Sequence, residues 1–177
     1  MVFARTKIMI HDWCLEEKPA ILNLNYTGPN PQLVVKRYVE VLKRVFNVTD
    51  SQIMEKIFNW DRSGKTEKFD IEYELRKDLD KNSYIFIQGA LNGAVNPSEE
   101  FGKIGNVTMK IWGAIRAEYP QDTFWQRSLL YELVRVFYHK IIYISRWEKY
   151  MEECRDSMRL FLDEMKGFLN LLERGGI

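Results

Sequence analysis

His11 and Cys14 stand three residues apart in "IMIHDWC" (residues 8–14), with Asp12 between them, and the chain holds one further histidine, His139, and one further cysteine, Cys154. These four are the residues best suited to metal binding or nucleophilic chemistry. A structural zinc site takes four ligands, so all of them would have to converge, yet their spacing fits no finger. His139 and Cys154 lie fifteen positions apart in a stretch that reads as helix, ~22 Å along an axis, too far to share one ion. A Cys–His nucleophile needs a third orienting group. Asp12 is the candidate, but neighbours on a strand point to opposite faces. No catalytic residue, metal or cofactor is expected. "IMIHDWC" reads as a strand finishing in a polar turn with Trp13 as anchor, and Cys14 and Cys154 as reduced packing residues.

Other candidate chemistry is weaker. "YTGPNPQ" (26–32) leads from a strand toward a helix N-terminus, as phosphate loops do, but its two prolines remove backbone donors. Asn30 as N-cap and Pro31 at the first helical position account for it better. Asp70, Glu72 and Glu74 alternate with apolar residues and read as a solvated strand face rather than acid–base groups. The loop from Asn92 to Gly105, with its glycines, could close as a lid over an apolar mouth. Lys36, Arg37, Lys43 and Arg44 could touch phosphates, although an amphipathic helix needs the same residues for solubility.

The elements that must position these groups follow from periodicity. Of 177 residues, 46% are hydrophobic and 29% charged, the composition of a folded chain with one core. Val2–Ile10 and Ala20–Tyr26 read as an opening strand hairpin. A helix runs from Pro31 to about Phe46, with Val34, Tyr38, Val41 and Val45 as one apolar stripe and Val35, Val39, Leu42 and Phe46 as another beside it. The Thr-x-x-Gln box at 49–52 precedes Ile53, Ile57 and Trp60 at helical spacing, which predicts a second, shorter helix. Phe69, Ile71, Tyr73 and Leu75 alternate with charged residues, "SYIFIQGAL" (83–91) returns antiparallel, and "NVTMKIWGAIRAEY" (106–119) makes a third long strand.

A second Thr-x-x-Gln box, Thr123 with Gln126, opens the last helical region. Leu130, Val134, Phe137, Ile141 and Ile144 form one apolar rhythm. Trp147, Met151, Cys154, Met158, Phe161, Met165, Phe168 and Leu172 form another, and the two meet with a phase slip near Ser145 where a kink is expected. Unbroken, this helix would extend ~70 Å, beyond the width of a small domain.

The predicted organisation is an α+β core over 1–123 (strand hairpin, two helices, three-stranded antiparallel sheet) and a long C-terminal helical region over 124–174. The fold is α+β: a curved antiparallel sheet packed by helices, with a long C-terminal helix kinked near Ser145. This order of strand, helix pair, strands and terminal helix resembles the helix-grip proteins of the lipid-transfer and polyketide-cyclase type. The resemblance covers topology alone. It implies an apolar small molecule held between sheet and C-terminal helix, lined by Met109, Ile111, Ile115, Leu130, Val134 and Phe137.

The leading expectation is instead a non-enzymatic protein that forms a homo-oligomer, most simply a dimer, through the seam Trp147, Met151, Cys154, Met158, Phe161, Met165, Phe168 and Leu172. A net charge of +1 argues against general nucleic-acid binding. The most apolar window, in "LLYELVRVFYHKIIYISRW", carries Glu132, Arg135, Lys140 and Arg146, so no membrane span is expected. A cytoplasmic location is expected in the absence of a secretory pattern.

Overall fold

The computed structural model describes residues 9–15 and 21–173. The fold is α+β: an open six-stranded antiparallel sheet with three helices, the last of them long. The strands are β1 (Met9–Trp13), β2 (Leu22–Pro29), β3 (Ile53–Asp61), β4 (Glu67–Asp78), β5 (Ser83–Ser98) and β6 (Gly102–Glu118). The helices are α1 (Gln32–Phe46), α2 (Leu129–Phe137) and α3 (Ile144–Glu173). Sheet order is β1-β6-β5-β4-β3, with β2 also on β6.

The alternation in β4 places Phe69, Ile71, Tyr73 and Leu75 on the buried face, because successive side chains of a strand point to opposite sides. Register carries the same face across the sheet. Ile71, Leu91 and Met109 form one row, Tyr73, Gly89 and Ile111 the next, and Leu75, Ile87 and Gly113 a third. α1 and α3 pack on this face, where Tyr38 stacks on Tyr73 with ring centroids 5.8 Å apart and meets Phe161 edge-on at 5.1 Å. Gly89 is required there, since a β-carbon at that position would overlap the Tyr38 hydroxyl.

Five expectations are corrected. The second, shorter helix is the strand β3. Its capping box does form, Thr49 N–H donating to Gln52 Oε1 at 3.1 Å, but it closes a single 3-10 turn, Asp50–Gln52. The following residues include Ile53, Ile57, Phe58 and Trp60 and pair with β4, where Trp60 lies 5.2 Å from Phe69. Pairing outweighs a helical period that only three apolar positions supported.

The opening hairpin does not exist as a pair: β1 and β2 both lie on β6, in tandem, against Ala114–Glu118 and Ile104–Ile111. Of the predicted Val2–Ile10 strand, residues 2–8 lie outside the described residues, and so does residue 20 of the second segment. The lid loop is a hairpin too. β5 continues to Ser98 and β6 begins at Gly102, whose φ of +71° suits glycine and closes the turn. α1 begins at Gln32 with Pro31 as its cap residue; Asn30, at φ 52°, offers its side-chain oxygen to Gln32 Nε2 at 3.2 Å and caps no backbone group.

The fifth correction concerns the cysteines. Cys14 and Cys154 are not reduced; they form a disulfide, Cα atoms 5.6 Å apart and both side chains fully buried. The last helical region breaks close to where the phase slip lies: α2 ends at Phe137, a π turn spans Tyr138–Ile142, and α3 starts at Ile144. An extra residue in a turn rotates the stripe, which reconciles the two rhythms.

Candidate functional site

The C-terminal region carries the least ordinary surface among the described residues. The Thr123–Gln126 box forms reciprocally, Gln126 N–H donating to Thr123 Oγ1 at 3.3 Å and Thr123 N–H to Gln126 Oε1 at 3.0 Å. It opens a single 3-10 turn, Trp125–Arg127. Ser128 then caps α2, accepting from Tyr131 N–H at 3.2 Å.

α2 is inverted relative to an ordinary surface helix. Glu132, Arg135 and His139 of the following turn are 7%, 3% and 7% exposed, whereas Leu130, Val134 and Phe137 are 55%, 56% and 60% exposed. Spacings of three and four put the polar three on one face. Twelve of the 22 large apolar side chains that stand exposed among the described residues fall between Phe124 and Ile144. The only charged residues exposed alongside them are Arg127 and Lys140.

Beneath α2 lies a polar layer. Glu132 accepts from Gln121 Nε2 at 2.7 Å and pairs with Arg135, whose guanidinium lies 5.5 Å from the Tyr119 ring. The Tyr119 hydroxyl and His139 Nδ1 are 3.0 Å apart. The imidazole meets the Trp147 ring edge-on at 4.8 Å and the Tyr143 ring at 5.4 Å. Tyr143 and Tyr150 both donate to Asp80, Tyr150 at 3.2 Å. Trp147 Nε1 donates to Asp12 Oδ2 at 2.7 Å.

Burial lowers the His139 pKa, helped by Arg135 and opposed by Asp12. Burial also pushes the Tyr119 phenol up to about 12. Burial alone would raise the Asp80 pKa, but hydrogen bonds from Tyr143, Asn82, Ser83 and Tyr150 outweigh it and hold the carboxyl low.

The six residues expected to line a cavity between sheet and C-terminal helix are not brought together. Met109, Ile111 and Ile115 are fully buried in the core, and Leu130, Val134 and Phe137 face outward on α2, so the six residues do not line one space. The residues expected to form an oligomer seam lie inside the chain. Trp147, Cys154, Met158, Phe161, Met165 and Leu172 are buried within the chain's own core, with Met151 and Phe168 packed against it. A helix laid on an uncovered sheet face buries its best stripe there first.

The remaining candidates resolve as structure. No group of three or more metal-binding side chains occurs among the described residues. His11 sits opposite Arg116 and edge-on to Trp13 at 4.7 Å, while Cys14 is committed to the disulfide. Trp13 itself is exposed and meets Trp112 at 5.2 Å, so the anchoring of "IMIHDWC" falls to Cys14 and Asp12 rather than to Trp13. Lys36 and Arg37 share Glu40, Lys43 pairs with Asp50 and Arg44 with Glu164, so each of these basic residues of α1 is engaged in an ion pair. An open cleft of mixed charge lies beside the β4–β5 turn, lined by Arg76, Asp78, Lys81, Glu118, Asp122 and Arg127 among others.

The polar layer was not anticipated. Its signal, Glu132, Arg135 and His139 at intervals of three and four, is present in the sequence, but the neighbouring apolar stripe was assigned the inward side.

No protein-family model matches the chain, and no curated protein matches it. Among solved structures, a delta-endotoxin is similar at a TM-score of 0.35 and 10% identity over 58% of this chain and 60% of that one. A protein of unknown function from Staphylococcus aureus, SA2116, is similar at a TM-score of 0.28 and 11% identity over 93% and 95%.

Proposed function

We propose that the protein is a non-enzymatic association module that pairs with a second copy of itself through the outward apolar surface of residues 124–144. The observation that carries this reading is the inversion of α2, polar side chains inward and leucines, valines and Phe137 outward. The twelve exposed apolar side chains there amount to a surface on the order of 1,000 Å². Summed over residues 124–144, that is of the same order as the ~800 Å² per partner that a stable dimer buries.

The self-association expected from the sequence is thus retained and its surface moved, from the seam of α3 to the face of α2. No described helix is long and apolar enough to cross a membrane. The Cys14–Cys154 disulfide weighs against the cytoplasmic location expected from the sequence, since most cytosols keep thiols reduced.

Sedimentation velocity on the wild type and on Leu133→Glu tests the reading. Leu133 is exposed, so a charge there leaves the fold intact while placing a carboxylate at the centre of the contact. The wild type is expected to sediment as a dimer and the variant as a monomer with an unchanged circular dichroism spectrum. A wild type that stays monomeric at its highest soluble concentration sinks the proposal.

A further inference from the structure

The outward surface is fastened to the rest of the molecule from below by polar contacts, and this makes it detachable in a way that an apolar seat would not be. The side chains that α2 buries are Glu132 and Arg135, and the π turn that follows buries His139. Their partners are Gln121 and Tyr119 at the end of β6, and Tyr143 and Trp147 at the start of α3.

We propose that His139 is a proton-operated latch for the docking surface: neutral, it accepts a hydrogen bond from the Tyr119 hydroxyl and seats α2; protonated, it unseats α2 and dissolves self-association. This rests on the self-association reading above.

The groups facing His139 decide the sign. From α2, Arg135 stands one turn away as a like charge, and the carboxylate that could offset a second cation, Glu132, is already bonded to Arg135 and Gln121. From β6, Tyr119 meets Nδ1. From α3, Tyr143 and Trp147 offer rings, and the Tyr143 hydroxyl is engaged with Asp80 and Ser83. From β1, Asp12 favours the proton, but Trp147 Nε1 already donates to it. On the π turn itself, Lys140 is exposed, and the half-exposed Tyr138 stacks on Tyr143 with ring centroids 6.1 Å apart. One engaged anion therefore opposes burial and one cation, and the imidazole is held below its ordinary pKa of 6.5.

A histidine whose seated pKa lies below its free value stabilises the seated state fully above the free pKa, and that contribution is lost as pH falls through 6.5 toward the seated value. Tyr119, pushed up to about 12, stays a donor throughout.

Sedimentation equilibrium from about pH 8 to about pH 5, spanning the ordinary imidazole range, reads the latch in the full chain. The wild-type association constant is expected to fall by up to about a hundredfold per pH unit, about tenfold for each protomer, between the free and the seated pKa, and that of His139→Gln to stay flat. Equal wild-type constants at both ends, or the same loss in His139→Gln, overturn the latch. Tyr119→Phe removes the hydroxyl that holds Nδ1 neutral and is expected to move the wild-type midpoint to higher pH; an unmoved midpoint also overturns it. If the chain is monomeric at pH 8 the self-association reading fails by itself. The latch is then read from the backbone amide resonances of residues 129–142, which must shift or broaden with the His139 titration; resonances that ignore it overturn the latch separately.

Discussion

Tyr38 carries a phenol that is fully buried, has no hydrogen-bond partner, and rests over Gly89 where no β-carbon fits. Burial drives its pKa far above the ordinary value, so the hydroxyl is a neutral, unsatisfied group in an apolar setting. Such a group costs about 1–3 kcal/mol. Tyr38→Phe should therefore keep the ring contacts with Tyr73 and Phe161 and raise stability by about 1 kcal/mol, read from the urea midpoint. Gly89→Ala should lower it by about 1–3 kcal/mol through overpacking. In the double variant only part of that loss should return, because the phenylalanine lacks the colliding oxygen but keeps the ring carbon Cζ 2.6 Å from the new methyl. If the two effects merely add, the close approach is not what constrains Gly89.

At the same scale, the disulfide and the Asp12–Trp147 hydrogen bond staple the five residues of β1 to α3 across 140 residues of sequence. Closing so long a loop restricts the unfolded chain, and the stabilisation is about 3–5 kcal/mol. Reduction, or Cys14→Ser with Cys154→Ser, should lower the unfolding free energy by that amount, read from the denaturant midpoint and slope. Coincident oxidised and reduced unfolding curves would show the staple to be energetically idle. Nothing in the sequence disclosed this pairing. Two cysteines give a possible bond but no distance, and only the placement of β1 beside β6, under α3, brings them together.

Elements were legible in proportion to the number of residues repeating one period. β4 alternates over the full width of the sheet and its partners β5 and β6 follow from it, so the central three strands were readable without the structure. α1 and α3 were readable on the same ground. β3 was not, because Ile53, Ile57 and Trp60 fit a helix as well as a strand when considered alone, and only Leu75, Ile71 and Phe69 across the ladder decide the matter. The length of β5 and β6 was hidden by Gly93, Pro97 and Gly105, which read as loop residues but lie within paired strands.

α2 is the instructive element for the candidate site. Its two stripes were both visible, and hydrophobicity assigned Leu130, Val134 and Phe137 to the interior. In the folded chain α3 takes the place on the sheet that α2 would need, since its longer seam buries more apolar area, and α2 is left to seat on its polar stripe. Which of two stripes faces inward depends on competition between helices for one face, a property of the assembly of elements rather than of either helix.

On the scale of the whole molecule, the exposed apolar residues gather around α2, and the association proposed for them is governed by mass action. A dimer that buries the face of α2 only in the folded state couples folding to protein concentration, because ligation of the native state by a second copy adds to its stability while the unfolded chain gains nothing. The thermal midpoint of the wild type should therefore rise with protein concentration at about pH 8. It should lose that dependence at about pH 5, where the His139 latch opens, and Leu133→Glu should show none at either pH. The disulfide variant should behave differently: its midpoint is lower throughout, yet its concentration dependence persists, because the staple joins β1 to α3 and leaves the seat of α2 alone. A wild-type midpoint independent of concentration at the higher pH would mean that the outward face of α2 is not covered by a second copy, whatever the behaviour of the latch. A disulfide variant that lost the dependence would mean that the staple and the seat are one cooperative unit, joined through Trp147, which touches both Asp12 and His139.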